Sequence, residues 1–359
     1  MTRPAQVVIN LSALRNNFSK VKSVAPSAKI IAVVKADAYG HGLTRIAGAL
    51  SQADGFGVAC LQEAEELRNA GITQPVVLLE GPFSSAEITP IDHLGLEIVV
   101  HHLSQIEILE KSRVYNPVTV WLKVDSGMHR LGFSPEDVGA VWERLKQCTA
   151  VNPNIRLMTH LADATDRTHE MTEAQLKIFN NTCDGLQGDK SIANSAGILA
   201  WPNSHAEIVR PGLMLYGVSP MEDDVAADYD LQPVMTLRSK LISIKRIKKG
   251  ETVGYGADWV CPEDMSVGIV AAGYGDGYPR HASTGTPVLV KNIRSQIIGK
   301  VSMDMLAVDL RDVADVAVGD SVVLWGDGLP VEEIAKHAGT IPYELLCAVH
   351  KRLDVTINE

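Results

Sequence analysis

Lys35 ends an apolar segment in a way that points to a reactive amine. The run Ile30–Val34 is continuously hydrophobic, which is typical of a strand buried on both faces. A lysine at the end of such a strand is partly desolvated, which disfavours its ammonium form and makes a nucleophilic amine available. For a single lysine, an aliphatic stem on the core with its charge in water is the commoner arrangement. The functional interpretation therefore depends on the rest of the chain.

Further polar side chains stand where other predicted strands end. Asp125, His160, Ser195 and Arg210 each close or follow an apolar run. In a parallel barrel the functional groups lie at the carboxyl ends of the strands. Each residue alone also has a structural explanation, since a histidine is often a satisfied core residue and a rim arginine often forms a salt bridge. Their number at strand ends is more than a packed core requires.

The elements that would position these residues alternate between strand and helix. Starting with the Lys35 strand, eight strand-like runs extend to Tyr216, which predicts an α/β fold with an N-terminal (β/α)8 TIM-like barrel over residues 1–225. From Pro233 onward, short apolar runs separated by glycine and proline predict a mainly-β C-terminal domain over residues 226–359. The first strand, near residues 5–10, is a candidate to pair with that second domain.

Several local signals predict where elements of the barrel begin and end. Ser104–Glu107 and Thr172–Gln175 have the spacing of capping boxes, and Ser134 precedes a proline suited to a first helical turn. These signals predict three helix starts. The run Ser191–Ser195 predicts a weak strand, and Ile208–Tyr216 predicts a stronger one.

Composition limits the possible functions. The 359 residues are 46% hydrophobic and 21% charged, as in ordinary globular proteins, and no apolar run approaches the length of a membrane span. A net charge of −10 argues against nucleic acid as a partner. The five scattered cysteines form no C-x-x-C pair, and the start has no signal-peptide pattern, so a reducing cytoplasm and no membrane association are expected. His101–His102 lacks further ligands at metal spacing, so no metal is expected.

Two glycine-flanked tyrosine segments stand out in the second domain. Gly254–Gly256 and Gly273–Arg280 place tyrosines between glycines, which permits tight turns that push a phenol outward. A hairpin turn with aromatic packing is the alternative for either segment. Arg130 and Arg210 follow strand ends through a glycine or a proline, where a planar cation could hold a carboxylate or a phenolate.

Taken together, six segments of the chain resemble alanine racemases. They occur in the family's order and matches extend from about Val8 to Tyr343; the segments are Ala32–Gly42, Asp125–Gly132, Val209–Gly217, Val253–Gly256, Gly273–Arg280 and Ser302–Met305. Asp37 replaces the asparagine of many members, and Ser302 replaces the cysteine of some. The resemblance implies a barrel followed by a β domain, pyridoxal 5'-phosphate as cofactor, and interconversion of L- and D-alanine for peptidoglycan synthesis or alanine catabolism. It also implies a homodimer in which both chains form each active site.

The resemblance further implies roles for individual residues toward the cofactor. Lys35 would form a Schiff base with pyridoxal phosphate and act as one catalytic base, and Tyr255 of the partner chain would act as the other. Arg210 would hydrogen-bond the pyridine nitrogen, and His160 would link Arg210 to Tyr255. The cofactor phosphate would be held by Tyr39, Ser195, Gly212, Leu213 and Tyr343.

Toward the substrate, the resemblance implies a site for a carboxylate. Arg130 and the backbone of Met303 from the partner chain would meet that group. Lys123 matches a position that can carry a carbamate, which would orient Arg130. Supporting positions are expected for Tyr274, Arg280 and Asp304.

Two other functions remain open on the sequence. An amino-acid decarboxylase with the same two domains would need an acidic residue at the pyridine nitrogen, where Arg210 stands instead. A pyridoxal-phosphate carrier would be a barrel without catalysis, and the second domain with Tyr255 and Met303 argues against it.

Overall fold

A barrel begins after the first strand and helix of the chain. The computed structural model describes residues 3–359, starting with β1 (Gln6–Asn10) and α1 (Leu11–Val24). The Asn10 side chain accepts a hydrogen bond from the Ala13 N–H at 2.9 Å and so caps α1, because an asparagine oxygen satisfies a free N–H of the first turn. Among the residues described, no helix has both the length and the apolar character that crossing a bilayer requires.

Eight parallel strands then close into a barrel, which confirms the predicted fold class. The strands are β2 (Lys29–Val33), β3 (Gly55–Val58), β4 (Val76–Leu78), β5 (Glu97–Val100), β6 (Val120–Lys123), β7 (Arg156–Met158), β8 (Lys190–Ser191) and β9 (Ile208–Val209). The helical segments between and after them are α2 (Lys35–Gly40), α3 (Leu43–Ala49), α4 (Leu61–Asn69), α5 (Ile88–His93), α6 (Leu103–Lys111), α7 (Val138–Gln147), α8 (Met171–Thr182) and α9 (Ser195–Ala200).

A layer of buried apolar side chains lies inside the barrel, and the residues that follow it along the strands lie at the carboxyl end. Its buried members are Ile31, Val77, Val99, Trp121, Met158 and Ile208. Side chains alternate between the two faces of a strand, so residues two positions further along return to the interior. Lys123, His160 and Arg210 each stand two positions after a member of this layer. The strand period therefore places three of the predicted site residues together at the carboxyl end of the barrel.

The second sheet includes the first strand of the chain. Its strands are β10 (Met235–Ile247), β13 (Met265–Val270), β14 (Pro287–Val290), β15 (Ile293–Ile298), β16 (Leu306–Asp309), β17 (Ser321–Trp325) and β18 (Asp354–Asn358), with a separate ribbon of β11 (Thr252–Val253) and β12 (Trp259–Val260). β1 lies between β10 and β18, antiparallel to the former and parallel to the latter. The helices α10 (Val331–Ala338) and α11 (Pro342–Cys347) precede β18. The domain boundary between residues 225 and 226 stays a prediction.

The three predicted helix starts are wrong by one to four residues. α6 begins at Leu103, because the His102 ring accepts the Ser104 N–H at 3.2 Å and serves as the cap. Ser134 donates its hydroxyl to Asp137 at 2.6 Å within a turn, and α7 begins only at Val138. Thr172 is buried inside α8, which begins one residue earlier. Only α6 begins with a side-chain cap, whereas α7 and α8 begin after Asp137 and Glu170 without a side-chain cap hydrogen bond.

Strand ends around the site also differ from the prediction. β2 ends at Val33, two residues before Lys35, because Val34 leaves the extended conformation and a left-handed turn begins at Ala36. β8 ends at Ser191, and Ser195 begins α9 instead of closing a strand. β9 ends at Val209, since Pro211 lacks the N–H that a ladder needs, and Leu213–Tyr216 forms a 3-10 turn.

Candidate active site

The segment that carries Lys35 and Tyr39 has an unusual backbone. Four consecutive residues, Ala36 to Tyr39, have φ between 53° and 54° and ψ between 41° and 52°. A left-handed conformation costs about 1–2 kcal/mol for each residue other than glycine. Such a segment persists only where its surroundings hold it, and these segments cluster at functional sites. The turn places Lys35 and the buried Tyr39 at the carboxyl end of the barrel.

Two carboxylates stabilise this left-handed turn. Glu63, on α4, accepts the Ala36 N–H at 2.6 Å with one oxygen and the Ala59 N–H at 2.7 Å with the other. Asp37 accepts the Leu43 N–H at 2.7 Å, and aspartate and asparagine both tolerate positive φ. The aspartate in place of the family's usual asparagine thus has a structural role in the turn. Nothing in the sequence pattern indicated the role of Glu63.

Buried His41 and Tyr216 pack against the left-handed turn. The Nδ1 atom of His41 lies 3.0 Å from the Ala38 carbonyl and 2.9 Å from the Tyr39 carbonyl, so it must carry the proton. Burial lowers the pKa of His41 to about 4, which keeps the ring neutral. The centroid of the Tyr216 ring lies 4.5 Å from that of His41 and 4.8 Å from that of Tyr39. The Tyr216 hydroxyl donates to the Val33 carbonyl at 2.9 Å.

Four of the five residues predicted to hold a phosphate are grouped by direct contacts. The Ser195 hydroxyl accepts the Gly212 N–H at 2.9 Å, which leaves its own hydrogen free to donate to a ligand. A Cβ at Gly212 would lie 2.6 Å from the Tyr39 hydroxyl, so only glycine leaves room there. The Tyr343 ring lies 5.7 Å from the Tyr39 ring. The fifth, Leu213, is buried directly after Gly212.

Arg210 is buried, and hydrogen bonds within residues 3–359 use three of its five N–H donors. Its Nη2 donates to the Thr159 carbonyl at 2.6 Å and to the Ile192 carbonyl at 3.3 Å, and its Nη1 donates to the Ser191 hydroxyl. The residue is only 4% exposed, and burial lowers its pKa to about 10, so it remains a cation at neutral pH. Within residues 3–359 no acceptor lies on the Nε–H, which is therefore available to a ligand atom.

Positive charge dominates the carboxyl end of the barrel. Lys123 is 7% exposed, and its pKa is lowered to about 8 by burial and by the charges of Arg210, Arg130 and Lys35. Burial, with the same cations, also holds the pKa of His160 well below its usual value. In the described part of the chain, no salt bridge joins Lys35, Lys123, Arg130 or Arg210 to an acid. The excess of cations favours an anionic ligand such as a phosphate or a carboxylate.

The site residues predicted in the second domain are mostly exposed, in contrast to the buried residues of the barrel. Tyr255 lies between β11 and β12 and is 69% exposed, and Met303 is 54% exposed. Tyr274 and Arg280 are also exposed, whereas Asp304 pairs with Arg352 at 2.7 Å. Among residues 3–359, no hydrogen bond connects Tyr255 or Met303 to the barrel residues. Hydrogen bonds within one chain therefore do not connect the two groups, and both side chains are left exposed.

Two family models match the chain, in its two halves. One, described as "Alanine racemase, N-terminal domain", covers residues 9–220, and the other, "Alanine racemase, C-terminal domain", covers residues 234–357. The chain belongs to the alanine racemase family. The family inferred from the six sequence segments is thereby confirmed.

Individual alanine racemases are similar over almost their whole length. The "Alanine racemase" of Halorhodospira halophila is 50% identical over 354 residues, which are 98% of this chain and 97% of the relative. The "Alanine racemase, biosynthetic" of Shigella dysenteriae is 50% identical over 350 residues, which are 97% of this chain and 98% of the relative. The crystal structure of biosynthetic alanine racemase from Pseudomonas aeruginosa matches with a TM-score of 0.97 and 44% identity, covering 100% of both chains.

Sequence reasoning missed several residues that shape the site. Tyr216 lies within a segment that resembles the alanine racemase family, but no role followed from that likeness. The Thr159 carbonyl and the Ser191 hydroxyl fix Arg210, yet neither position carries a pattern of its own. Only the register of β7, β8 and β9 brings these atoms together.

Proposed function

We propose that the protein is an alanine racemase that binds pyridoxal phosphate and works as a homodimer with shared active sites. The carboxyl end of the barrel carries this proposal, because it combines an amine, hydroxyl donors and unpaired cations above a packed apolar layer. Arg210 is the deciding residue. Its buried guanidinium offers its Nε–H where a decarboxylase would need an acidic side chain.

The residues present fit pyridoxal phosphate. Tyr39 and Ser195 offer hydroxyl groups beside Gly212, where the absence of a Cβ leaves room for a phosphate oxygen. Leu213 and Tyr343 lie beside the same space, Lys35 would carry the cofactor covalently, and the Arg210 Nε–H would face the pyridine nitrogen. When bound, this cofactor withdraws electrons from the substrate Cα and makes its proton acidic.

Inversion at the Cα needs a proton acceptor on one face and a proton donor on the other. The Lys35 amine would serve one face from the barrel. The Tyr255 hydroxyl of a second chain would serve the other, since its own chain leaves it exposed and, among residues 3–359, without a hydrogen bond to a barrel residue. His160 would connect that phenol to Arg210, whose positive charge helps a tyrosine act as a base.

Arg210 would also restrict the reaction to proton transfer. An arginine does not readily give up a proton, so Arg210 would hold the pyridine nitrogen without protonating it. Such a contact would favour return of the proton over decarboxylation or transamination.

The substrate carboxylate would meet Arg130 and the Met303 N–H of the other chain. The pKa of Lys123, lowered to about 8, provides the neutral amine that carbamate formation requires. A carbamate on Lys123 would give Arg130 an anionic partner and orient it toward the substrate.

Incubation with alanine in D2O tests the activity. Either enantiomer should racemise and gain deuterium at the Cα. Release of CO2 would instead indicate the decarboxylase, and no exchange would indicate a carrier. Parallel incubation with serine shows whether the enzyme is strict for alanine.

Borohydride reduction tests the cofactor site. Reduction of the holoenzyme should leave a pyridoxyl group on Lys35 in a peptide map. Lys35→Ala should remove the label, while Lys29→Ala should retain it, because Lys29 is an exposed lysine at the amino end of β2, the strand that precedes Lys35. A label on any other lysine would refute the assignment.

A further inference from the structure

Asp276 is a fully buried carboxylate at which several segments of the second domain meet. Its Oδ1 accepts hydrogen bonds from Arg3 Nε at 3.0 Å and Arg352 Nε at 2.9 Å. Its Oδ2 accepts Arg3 Nη2 at 2.7 Å and the Gly273 N–H at 2.9 Å. Four donors thus satisfy both oxygens, and they come from three places far apart in the sequence.

The same two arginines reach the segment that contains Met303. Arg352 Nη2 donates to the Asp304 carboxylate at 2.7 Å. Arg3 Nη2 donates to the Asp304 carbonyl at 2.9 Å. Asp276 is therefore linked through each arginine to the residue that directly follows Met303.

Backbone hydrogen bonds connect the loop of Asp276 to the same segment. The Tyr274 N–H donates to the Ser302 carbonyl at 3.1 Å, and the Gly275 N–H donates to the Met303 carbonyl at 2.8 Å. A Cβ at Gly273 would lie 2.2 Å from the Ser302 oxygen, so the close approach of the two loops requires glycine. This accounts for the glycine at position 273 of the segment.

The contact at Ser302 sets the direction of the Met303 N–H. The Ser302 carbonyl and the Met303 N–H belong to one planar trans peptide and point in opposite directions. Fixing the carbonyl against Tyr274 therefore aims the N–H away from the loop. Within residues 3–359 no acceptor lies on that N–H, and Met303 is an exposed residue.

We propose that Asp276, held by Arg3 and Arg352, is a positioning residue that aims the Met303 N–H at the substrate carboxylate in the partner's active site. The inference rests on the proposed function, which supplies the carboxylate. A buried ion pair is a poor source of stability compared with apolar packing, because both charges lose their hydration. Its value here is geometric, since it ties two loops and the chain's two ends into one rigid unit.

Arg352→Gln tests the inference, with Arg311→Gln as the matched control. Each arginine bridges two carboxylates of the second domain, Asp276 and Asp304 for Arg352, and Asp309 and Glu263 for Arg311. Their side chains are 35% and 34% exposed. Because the two arginines are similarly exposed and similarly paired, similar losses of folding stability are expected from both variants. Of the two, only Arg352 contacts the loops that contain Asp276 and Met303.

The two variants should differ in their kinetics with alanine. Arg352→Gln should raise the KM for alanine about tenfold and change kcat less than about twofold, because a carboxylate contact acts equally on ground state and transition state. Arg352→Lys should restore most of the KM, since it keeps the charge. Arg311→Gln should leave the KM unchanged.

Amide hydrogen exchange gives a readout that does not depend on activity. Residues 301–305 should exchange faster in Arg352→Gln than in the wild type, and they should be unaffected in Arg311→Gln. Equal KM values and equal exchange in both variants would overturn the inference. Failure of the wild type to racemise alanine would instead overturn the proposed function, so the two failures are distinguishable.

Discussion

The two regions that carry the proposed site are built in opposite ways. At the carboxyl end of the barrel, Arg210 and Lys123 are almost fully buried, and strand register fixes them. In the second domain, Tyr255 and Met303 are mostly exposed, and turns, close glycine contacts and ion pairs hold them. One region is an enclosed set of cations above a core, and the other is a set of side chains presented outward.

This difference indicates how the work is divided. A buried cluster of cations suits a cofactor that stays bound, because desolvated charges hold an anion tightly. Exposed groups on turns suit a surface that another molecule completes. We infer that the barrel prepares the cofactor site and that association of two chains adds the second proton-transfer group.

Tyr255→Phe should produce the largest effect on activity. A small effect would contradict the division of roles between the barrel and the second domain. Loss of the hydroxyl should slow racemisation about 100- to 10,000-fold, the range for a general acid or base. The unfolding midpoint should not change, because the ring is exposed. Alanine of one enantiomer should still exchange its Cα proton through Lys35. Tyr115→Phe, at another exposed tyrosine, is the control, and a loss below about threefold for Tyr255→Phe would contradict the assignment.

Lys123→Met tests the desolvation of the barrel end through the pH dependence of stability. The pKa of Lys123 falls from about 10.5 to about 8 in the folded protein, so between these values the unfolded chain binds more protons. Stability should therefore rise with pH across this window, by up to about 1.4 kcal/mol per pH unit. Lys123→Met should remove that contribution in urea unfolding between pH 8 and 10 in CO2-free buffer.

The matched control for this measurement is Lys111→Met, at an exposed lysine. It should keep the wild-type slope. A Lys123→Met protein with the same slope as the wild type would mean that Lys123 titrates normally and that the barrel end is not desolvated.

Glu63→Gln should have the smallest effect and would sharpen the account of the left-handed turn. The amide has one oxygen, so it can accept only one of the two backbone N–H groups that Glu63 holds. The free energy of unfolding should fall by about 1–2 kcal/mol. Glu66→Gln, at an exposed residue of the same helix, should be neutral. Equal stability of the two variants would show that the turn does not need Glu63.

The sequence predicted those parts of the fold that follow from the alternation of strands and helices along the chain. The alternation of strand-like and helical runs predicted the eight strands of the barrel, and polar residues such as His160 and Arg210 were predicted at strand ends. The thirteen-residue strand β10 and the strand β17 lie in the segment from Pro233 onward, where a mainly-β domain was predicted. These features follow from local periodicity, which a single sequence carries.

Features that depend on distant partners were not predictable. The helix start near Ser104 was wrong because the His102 ring serves as the cap, and the helices near Ser134 and Thr172 begin without the predicted caps. The left-handed turn after Lys35 depends on Glu63 of another element, and the role of Asp276 depends on arginines near both ends of the chain. Neither signal exists in the local pattern, since each arises only when the chain has folded.

A mixed dimer of Lys35→Ala and Tyr255→Phe chains, isolated with two affinity tags, tests the central claim most directly. Each variant alone should be nearly inactive. If each site takes its amine from one chain and its phenol from the other, the mixed dimer holds one site with neither defect and should regain about half of the wild-type rate. A mixed dimer as inactive as its two parents would show that both groups act within one chain, and it would contradict the account.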